Sequence, residues 1–275
     1  MSPMFRRKLR LEQTAELSKP SVLDRYVGGA PTDQHQVDVF AGEWSSRFPD
    51  DSGLQAGATR LFEDPRIDWV VEQMGGIDGL DVLELGPLEG GHSAMLHAAG
   101  ASVLAIEANT HAFLKCLITK NLLALDRCRF ELGDFLPYLE VTDRRFDLVL
   151  ASGVLYHSPQ PITLLESIAR VTDHVALWTH YFDEAVLAEP AFQRAFAPAS
   201  EMVSWRGRSI ELRRHAYLES LDWSGFCGSS QETTLWIARQ SLLDVLAELG
   251  FNDVRNLYED PKHPNGPCIM VFASR

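Results

Sequence analysis

The chain has 275 residues, 45% of them apolar and 23% charged, with 25 basic against 38 acidic side chains and a net charge of −13. That size holds one large α/β domain or a domain with an elaboration, and the composition is ordinary for a soluble globular protein. The acidic balance counts against general affinity for nucleic acid or anionic membrane, which relies on clustered Lys and Arg, although it leaves room for a local basic pocket.

The basic stretch Met1–Leu11 is not followed by an apolar run of signal-peptide length. No run reaches the roughly 18 apolar residues of a membrane-spanning helix, so a cytoplasmic protein without a membrane partner is expected. Four cysteines, Cys116, Cys128, Cys227 and Cys268, lie far apart with no CxxC or zinc spacing, and are expected as reduced thiols, some of them in the core.

The first 77 residues are expected to form a cap or collar. They hold a polar stretch with Tyr26, His35, Phe40, Trp44 and Phe48, then a predicted helix over 60–74. From residue 78 strand-like and helix-like segments alternate. Asp81–Leu85 is a predicted strand and Gly91–Ala99 a helix. Ser102–Ile106 is a second strand, followed by a helix over 110–123. Cys128–Leu132 is a third strand and Phe146–Leu150 a fourth, whose Leu-Val-Leu run suits burial on both faces. A helix over Ile162–Val171 leads to a fifth strand, His174–Thr179. This rhythm predicts a parallel sheet with helices on both faces.

The rhythm breaks over residues 181–235, read as an insertion with one edge strand over 209–218. It resumes with an amphipathic helix, Arg239–Leu249, closed by Gly250 where a helix favours a left-handed residue. Two last strands, Phe251–Tyr258 and Cys268–Ala273, joined by the turn 260–266, would place an antiparallel strand in the sheet. The expected fold is a Rossmann-like, seven-stranded, mostly parallel sheet over residues 78–275, with an antiparallel last strand and a substrate cap at about 181–235.

Chemistry collects at the strand ends. The first strand runs through Glu84 into the turn Gly86-Pro-Leu-Glu-Gly90, and such a turn at the carboxyl end of a buried strand is where open α/β sheets place a cofactor. Leu88 stands where a second glycine is expected, so this turn alone fits any nucleotide binder, or none; the absence of Gly-Lys-Ser/Thr removes a P-loop. The second strand ends at Glu107, suited to accept both hydroxyls of a ribose, of NAD as much as of any nucleoside, or to start the next helix. The third ends in Gly133-Asp134-Phe135, where a carboxylate can accept from an adenine amino group, or simply form a turn. The fourth ends in Ser152-Gly-Val-Leu-Tyr156-His157, which sets a candidate base, His157, beside Tyr156.

Together these residues resemble the class I S-adenosylmethionine-dependent methyltransferase superfamily over about residues 78–275. Gly153-Val-Leu-Tyr-His157 followed by Ser158-Pro-Gln-Pro161 is similar to the tRNA wobble-uridine (carboxy)methyltransferase-like branch. The resemblance implies S-adenosylmethionine as cofactor, with S-adenosylhomocysteine as product. It implies Glu84, Gly86 and Gly90 around the methionine part, Glu107 at the ribose, and Asp134 with Phe135 at adenine. Pro87, Ala108 and Ser152 complete the expected cofactor contacts, and the stiff Pro87-Leu88 pair is the departure from the family's loop.

Methyl transfer is an in-line displacement that asks the enzyme for proximity, alignment and sometimes a base. Tyr156 and His157 are the expected catalytic pair. No metal is required, and the nine histidines form no recognisable ligand motif. His180 and Arg208, the latter among the insertion's arginines and aromatics, are the expected acceptor contacts. The leading reading is a small-molecule O- or N-methyltransferase. The alternatives are a tRNA-modifying enzyme, against which the charge counts, a non-catalytic cofactor-binding partner protein, and a dinucleotide dehydrogenase, disfavoured by Gly-Asp-Phe and the final hairpin.

Overall fold

The computed structural model describes residues 26–275 apart from Ala188 and Cys227. The basic N-terminus, the start of the expected cap and the Cys227 thiol lie outside the described residues. Strands β1 (Asp81–Leu85), β2 (Ser102–Glu107), β3 (Cys128–Leu132), β4 (Leu148–Ser152) and β5 (His174–His180) pair in parallel. With β9 (Asp253–Asp260) and β10 (Cys268–Ser274) they form one seven-stranded sheet of order β3-β2-β1-β4-β5-β10-β9. Only β10 runs against the direction of the other six strands, as the final hairpin requires.

The parallel strands are apolar on both faces because helices cover both. Leu83 and Leu85 of β1 face one layer, with α5 (Phe135–Val141), α6 (Pro161–Val171) and α9 (Arg239–Glu248). Val82 faces the other, with α2 (Pro65–Gln73), α3 (Gly91–Ala98) and α4 (Thr110–Leu122). That alternation follows from the two-residue period of a strand.

Three expectations are corrected. The helix expected over 60–74 begins only at Pro65, because the Asp64 carboxylate caps Arg66 N–H at 3.0 Å and proline favours the first helical position. The fourth strand, expected over Phe146–Leu150, sits two residues later, at Leu148–Ser152, which carries Ser152 out to the cavity. The segment 209–218 is not an edge strand of the main sheet. As β7 (Arg208–Ala216) it is the middle strand of a separate antiparallel sheet between β6 (Glu201–Trp205) and β8 (Thr233–Ile237). Two short helices, α7 (Glu184–Leu187) and α8 (Pro190–Gln193), precede this small sheet. Leu235 N–H donates to Ser158 C=O at 3.2 Å, which sets β8 against the end of β4.

Upstream of β1, Val37 of α1 (Asp33–Asp38) joins Phe40, Trp44, Phe48 and Phe62 in an apolar cluster against Ile118, Leu122 and Leu123. Glu89 of the glycine turn fastens it. Its carboxylate accepts from Ser45 N–H at 2.9 Å, Ser46 N–H at 2.6 Å and Lys115 Nζ at 2.9 Å.

Candidate active site

A cavity of about 660 Å³ opens at the carboxyl ends of β1, β2 and β4, where the strand order reverses and open α/β sheets hold ligands. Nine of the residues expected in the site line it: Gly86, Pro87, Glu107, Ala108, Asp134, Phe135, Ser152, Tyr156 and His157. Sequence reasoning missed Leu61, Arg66, Leu88, His92, Asn109, Trp178 and the stretch Gly228–Gln231, which also line it.

The turn after β1 is built for close approach. Gly86 has φ of +64°, and a Cβ there would meet Val154 Cγ1 at 2.7 Å, so only glycine fits. Leu88 takes φ of +57°, the left-handed geometry that the missing glycine would supply. Its N–H donates to Glu107 Oε2 at 3.1 Å, and Asn109 N–H donates to Oε1 at 2.8 Å. Glu107 is thereby aimed from the end of β2. Burial raises its pKa from the ordinary 4.5 to about 7, against the pull of these backbone donors.

Asp134 caps α5, accepting from Leu136 N–H at 2.9 Å, and Phe135 follows it into the cavity wall. Both alternatives for Gly133-Asp134 therefore coexist, since a capping carboxylate also lines the cavity.

The far end of the cavity is aromatic. Tyr156 packs on His157 with ring centres 4.0 Å apart and stands edge-on to Trp178 at 5.9 Å. The Arg66 guanidinium lies over Trp178 at 4.7 Å. Arg66 is paired with Asp64, whose other partner is His92 Nε2 at 2.9 Å. Burial raises the Asp64 pKa, but the hydrogen bonds from His92 and Arg66 outweigh it and hold the carboxylate well below its usual range.

His157 Nδ1 and Tyr217 Oη share a hydrogen bond of 2.5 Å. Burial, with His180 and His215 nearby, lowers the His157 pKa to about 3, so the ring is neutral at working pH. The segment after Phe226 closes over it: a Cβ on Gly228 would meet the His157 ring at 2.8 Å, and Asn109 Nδ2 donates to Phe226 C=O at 3.1 Å.

Four expected site residues are not in the cavity lining. Glu84 is buried behind it, accepting from Ser93 Oγ, with burial raising its pKa. Gly90 opens α3 with φ of +81°, beneath the turn. His180 is buried beyond Tyr156 and donates from Nδ1 to Gly266 C=O at 2.8 Å. Arg208 is on the small sheet, its Nε donating to Glu248 at 2.9 Å. No spacing rule shows these placements, because each is set by which face of its element meets a neighbour.

Residues 78–208 match the family Methyltransf_31, described as a methyltransferase domain. No curated protein matches the chain. Among solved structures, the N-terminal domain of EvdMO1 with SAH bound is similar at 23% identity and a TM-score of 0.65, over 88% of this chain and 94% of that one. Magnesium protoporphyrin IX methyltransferase (ChlM) from Synechocystis PCC 6803 with bound SAH is similar at 16% identity and a TM-score of 0.55, over 87% and 97%. Full-length EvdMO1, at 22% identity and a TM-score of 0.58, is covered over 46% of its length. These likenesses show the fold. The domain match covers residues 78–208, and a methyltransferase domain of this fold implies S-adenosylmethionine as its cofactor.

Proposed function

We propose that the protein transfers a methyl group from S-adenosylmethionine to an O or N of a small molecule held against Tyr156, His157 and Trp178. The observation that carries this is the form of the cavity. Its roughly 660 Å³ suits a cofactor and a compact acceptor, and Gly228–Gln231 line it as part of the insertion. A polynucleotide asks for an open basic track, which the charge of −13 does not favour. The tRNA wobble-uridine reading is therefore second, resting on Gly153–Pro161 alone. The crystallisation of the EvdMO1 N-terminal domain in the presence of SAH and D-fucose, at 24% identity, is a small-molecule precedent in the same fold.

The residues present suit the cofactor. Gly86 leaves room at the turn, Glu107 offers a carboxylate for the ribose, and Asp134 with Phe135 bounds the adenine end, with Pro87, Ala108 and Ser152 between them. When bound, S-adenosylmethionine supplies the electrophilic methyl. The chain has to align the nucleophile. His157, neutral because buried, accepts a hydrogen bond from the acceptor and orients its lone pair; at a pKa of about 3 it is a poor store for the proton, which passes on to water. Tyr217 holds the ring, and Tyr156 and Trp178 pack against the acceptor.

Labelled S-adenosylmethionine incubated with the protein and a size-fractionated bacterial extract should mark the small-molecule fraction; label confined to RNA would instead support the second reading. With an acceptor in hand, His157→Ala should lower kcat about 100-fold while leaving S-adenosylhomocysteine affinity within a factor of about two. His157→Asn, which can still accept a hydrogen bond, should recover part of the loss. Unchanged turnover in His157→Ala would remove the residue from this role.

A further inference from the structure

Three potential metal ligands meet just beyond the aromatic end of the cavity. His180 closes β5, Cys268 opens β10 directly opposite it in the ladder, and His263 comes from the turn between β9 and β10. One ligand atom of each lies within 4.8 Å of the others. No spacing in the sequence signals them, since they come from two strands and a turn.

The hydrogen bonding of His180 prepares it for this use. Nδ1 faces the carbonyls of Gly266 at 2.8 Å and Pro267 at 3.3 Å, and carbonyls only accept. The proton is therefore on Nδ1, and the neutral ring carries its lone pair on Nε2. A ring N–H donated to a backbone carbonyl is also the arrangement that orients metal-bound histidines. Trp236 stacks on one face of the ring at 5.1 Å and 11°, and Tyr156 stands edge-on at 4.6 Å, so the ring is locked.

Cys268 is fully buried, and the Trp178 indole N–H on the adjacent strand lies within hydrogen-bonding reach of its thiol. His263 is the adjustable ligand. It is partly exposed, and its Nδ1 accepts from Asn265 N–H at 3.2 Å, a bond that ligation would replace.

We propose that His180, His263 and Cys268 bind a borderline-soft divalent cation of the zinc class. Two imidazoles and a thiolate are the donor set such ions take, and three protein ligands leave a fourth position for water or another small donor. Ligand atoms around a tetrahedral ion of this size sit roughly 3.5 Å apart, so the 4.8 Å cluster has to contract, by movement of the turn that carries His263. An ion there ties the end of β5 to that turn behind Tyr156 and Trp178, and so stiffens the wall against which the acceptor would rest. The proposal is independent of which acceptor is methylated.

The test uses the tag-free full chain, stripped of metal and titrated with Co²⁺ and with Zn²⁺. Co²⁺ should saturate at one ion per chain with a thiolate-to-cobalt charge-transfer band, and Zn²⁺ should displace it and raise Tm. Cys268→Ser should abolish the band. His263→Ala, a change at a partly exposed turn that leaves the metal-free fold intact, should weaken Co²⁺ binding at least tenfold and remove the Tm gain. No charge-transfer band in the wild type, or unchanged affinity in His263→Ala, would overturn the proposal.

Discussion

Replacing Glu89 by alanine is expected to lower stability by about 3–5 kcal/mol, the usual cost of leaving one member of a buried ion pair without its partner. Glu89 is 0% exposed, and Lys115, its partner at 2.9 Å, is 3% exposed. The substitution strands that ammonium group, whose remaining hydrogen bond is to Glu43 C=O at 2.7 Å. It also removes the acceptor of Ser45 and Ser46 N–H. For a chain of this size that corresponds to a fall in Tm of roughly 10 °C. The loss should be local first. The segment carrying Trp44 and Phe48 would loosen, and limited proteolysis should cut within residues 40–60 before elsewhere. Pairing Glu89→Gln with Lys115→Met should recover much of the stability, because the buried charge is then gone. Wild-type Tm in Glu89→Ala would show that Glu89 does not fasten this segment.

The second large effect is expected at Glu107. Its carboxylate is the one charged acceptor at the end of β2, and its alanine variant should weaken S-adenosylhomocysteine binding about 10- to 100-fold, or roughly 1.4–2.8 kcal/mol. Two losses would combine: the bonds proposed to the ribose, and the anchoring of Leu88 N–H and Asn109 N–H that shapes the turn. The pH dependence follows from the same group. With a pKa raised to about 7, Glu107 is protonated in the free protein below neutrality. Ribose hydroxyls favour the carboxylate, so binding releases a proton. Affinity should therefore rise with pH up to about 7 and level off above it, with a slope of up to one in log K. Glu107→Gln should flatten the profile. The free protein should behave in the opposite way. The neutral form is favoured in the fold, so this group's contribution to stability is full below the ordinary 4.5 and is lost as pH rises through about 7. Titration calorimetry across that range checks the sign for binding, and thermal unfolding of the free protein checks the sign for stability.

How much of this was legible in the sequence depends on what each residue answers to. The parallel strands were visible because burial on both faces demands unbroken apolar runs such as Val103-Leu-Ala-Ile106, and their ends marked the cavity through Glu107, Asp134 and Tyr156-His157. The small sheet was not. β6 is exposed along its middle, so it carries no burial pattern, and β7 looks like an edge strand until β6 and β8 are seen on either side. The sequence shows Leu88 as a departure, but not that its backbone adopts the glycine's conformation. That strain is held by the bond to Glu107, 19 positions away. The chain Arg66–Asp64–His92 and the closure of Gly228 over His157 had no signal, because both join elements that only the fold brings together. His180 is expected in the cleft from its place at the end of the fifth strand, and Arg208 from the insertion's group of arginines. One turns to the carbonyls of Gly266 and Pro267, the other to Glu248 on α9.

The central claim is that the strand ends form one cofactor site, specific for an S-adenosyl nucleoside. Titration calorimetry of the full chain with S-adenosylhomocysteine and, separately, with NAD tests it most directly. One equivalent of S-adenosylhomocysteine should bind per chain and NAD should give no heat; saturable NAD binding, or none of S-adenosylhomocysteine, would contradict it.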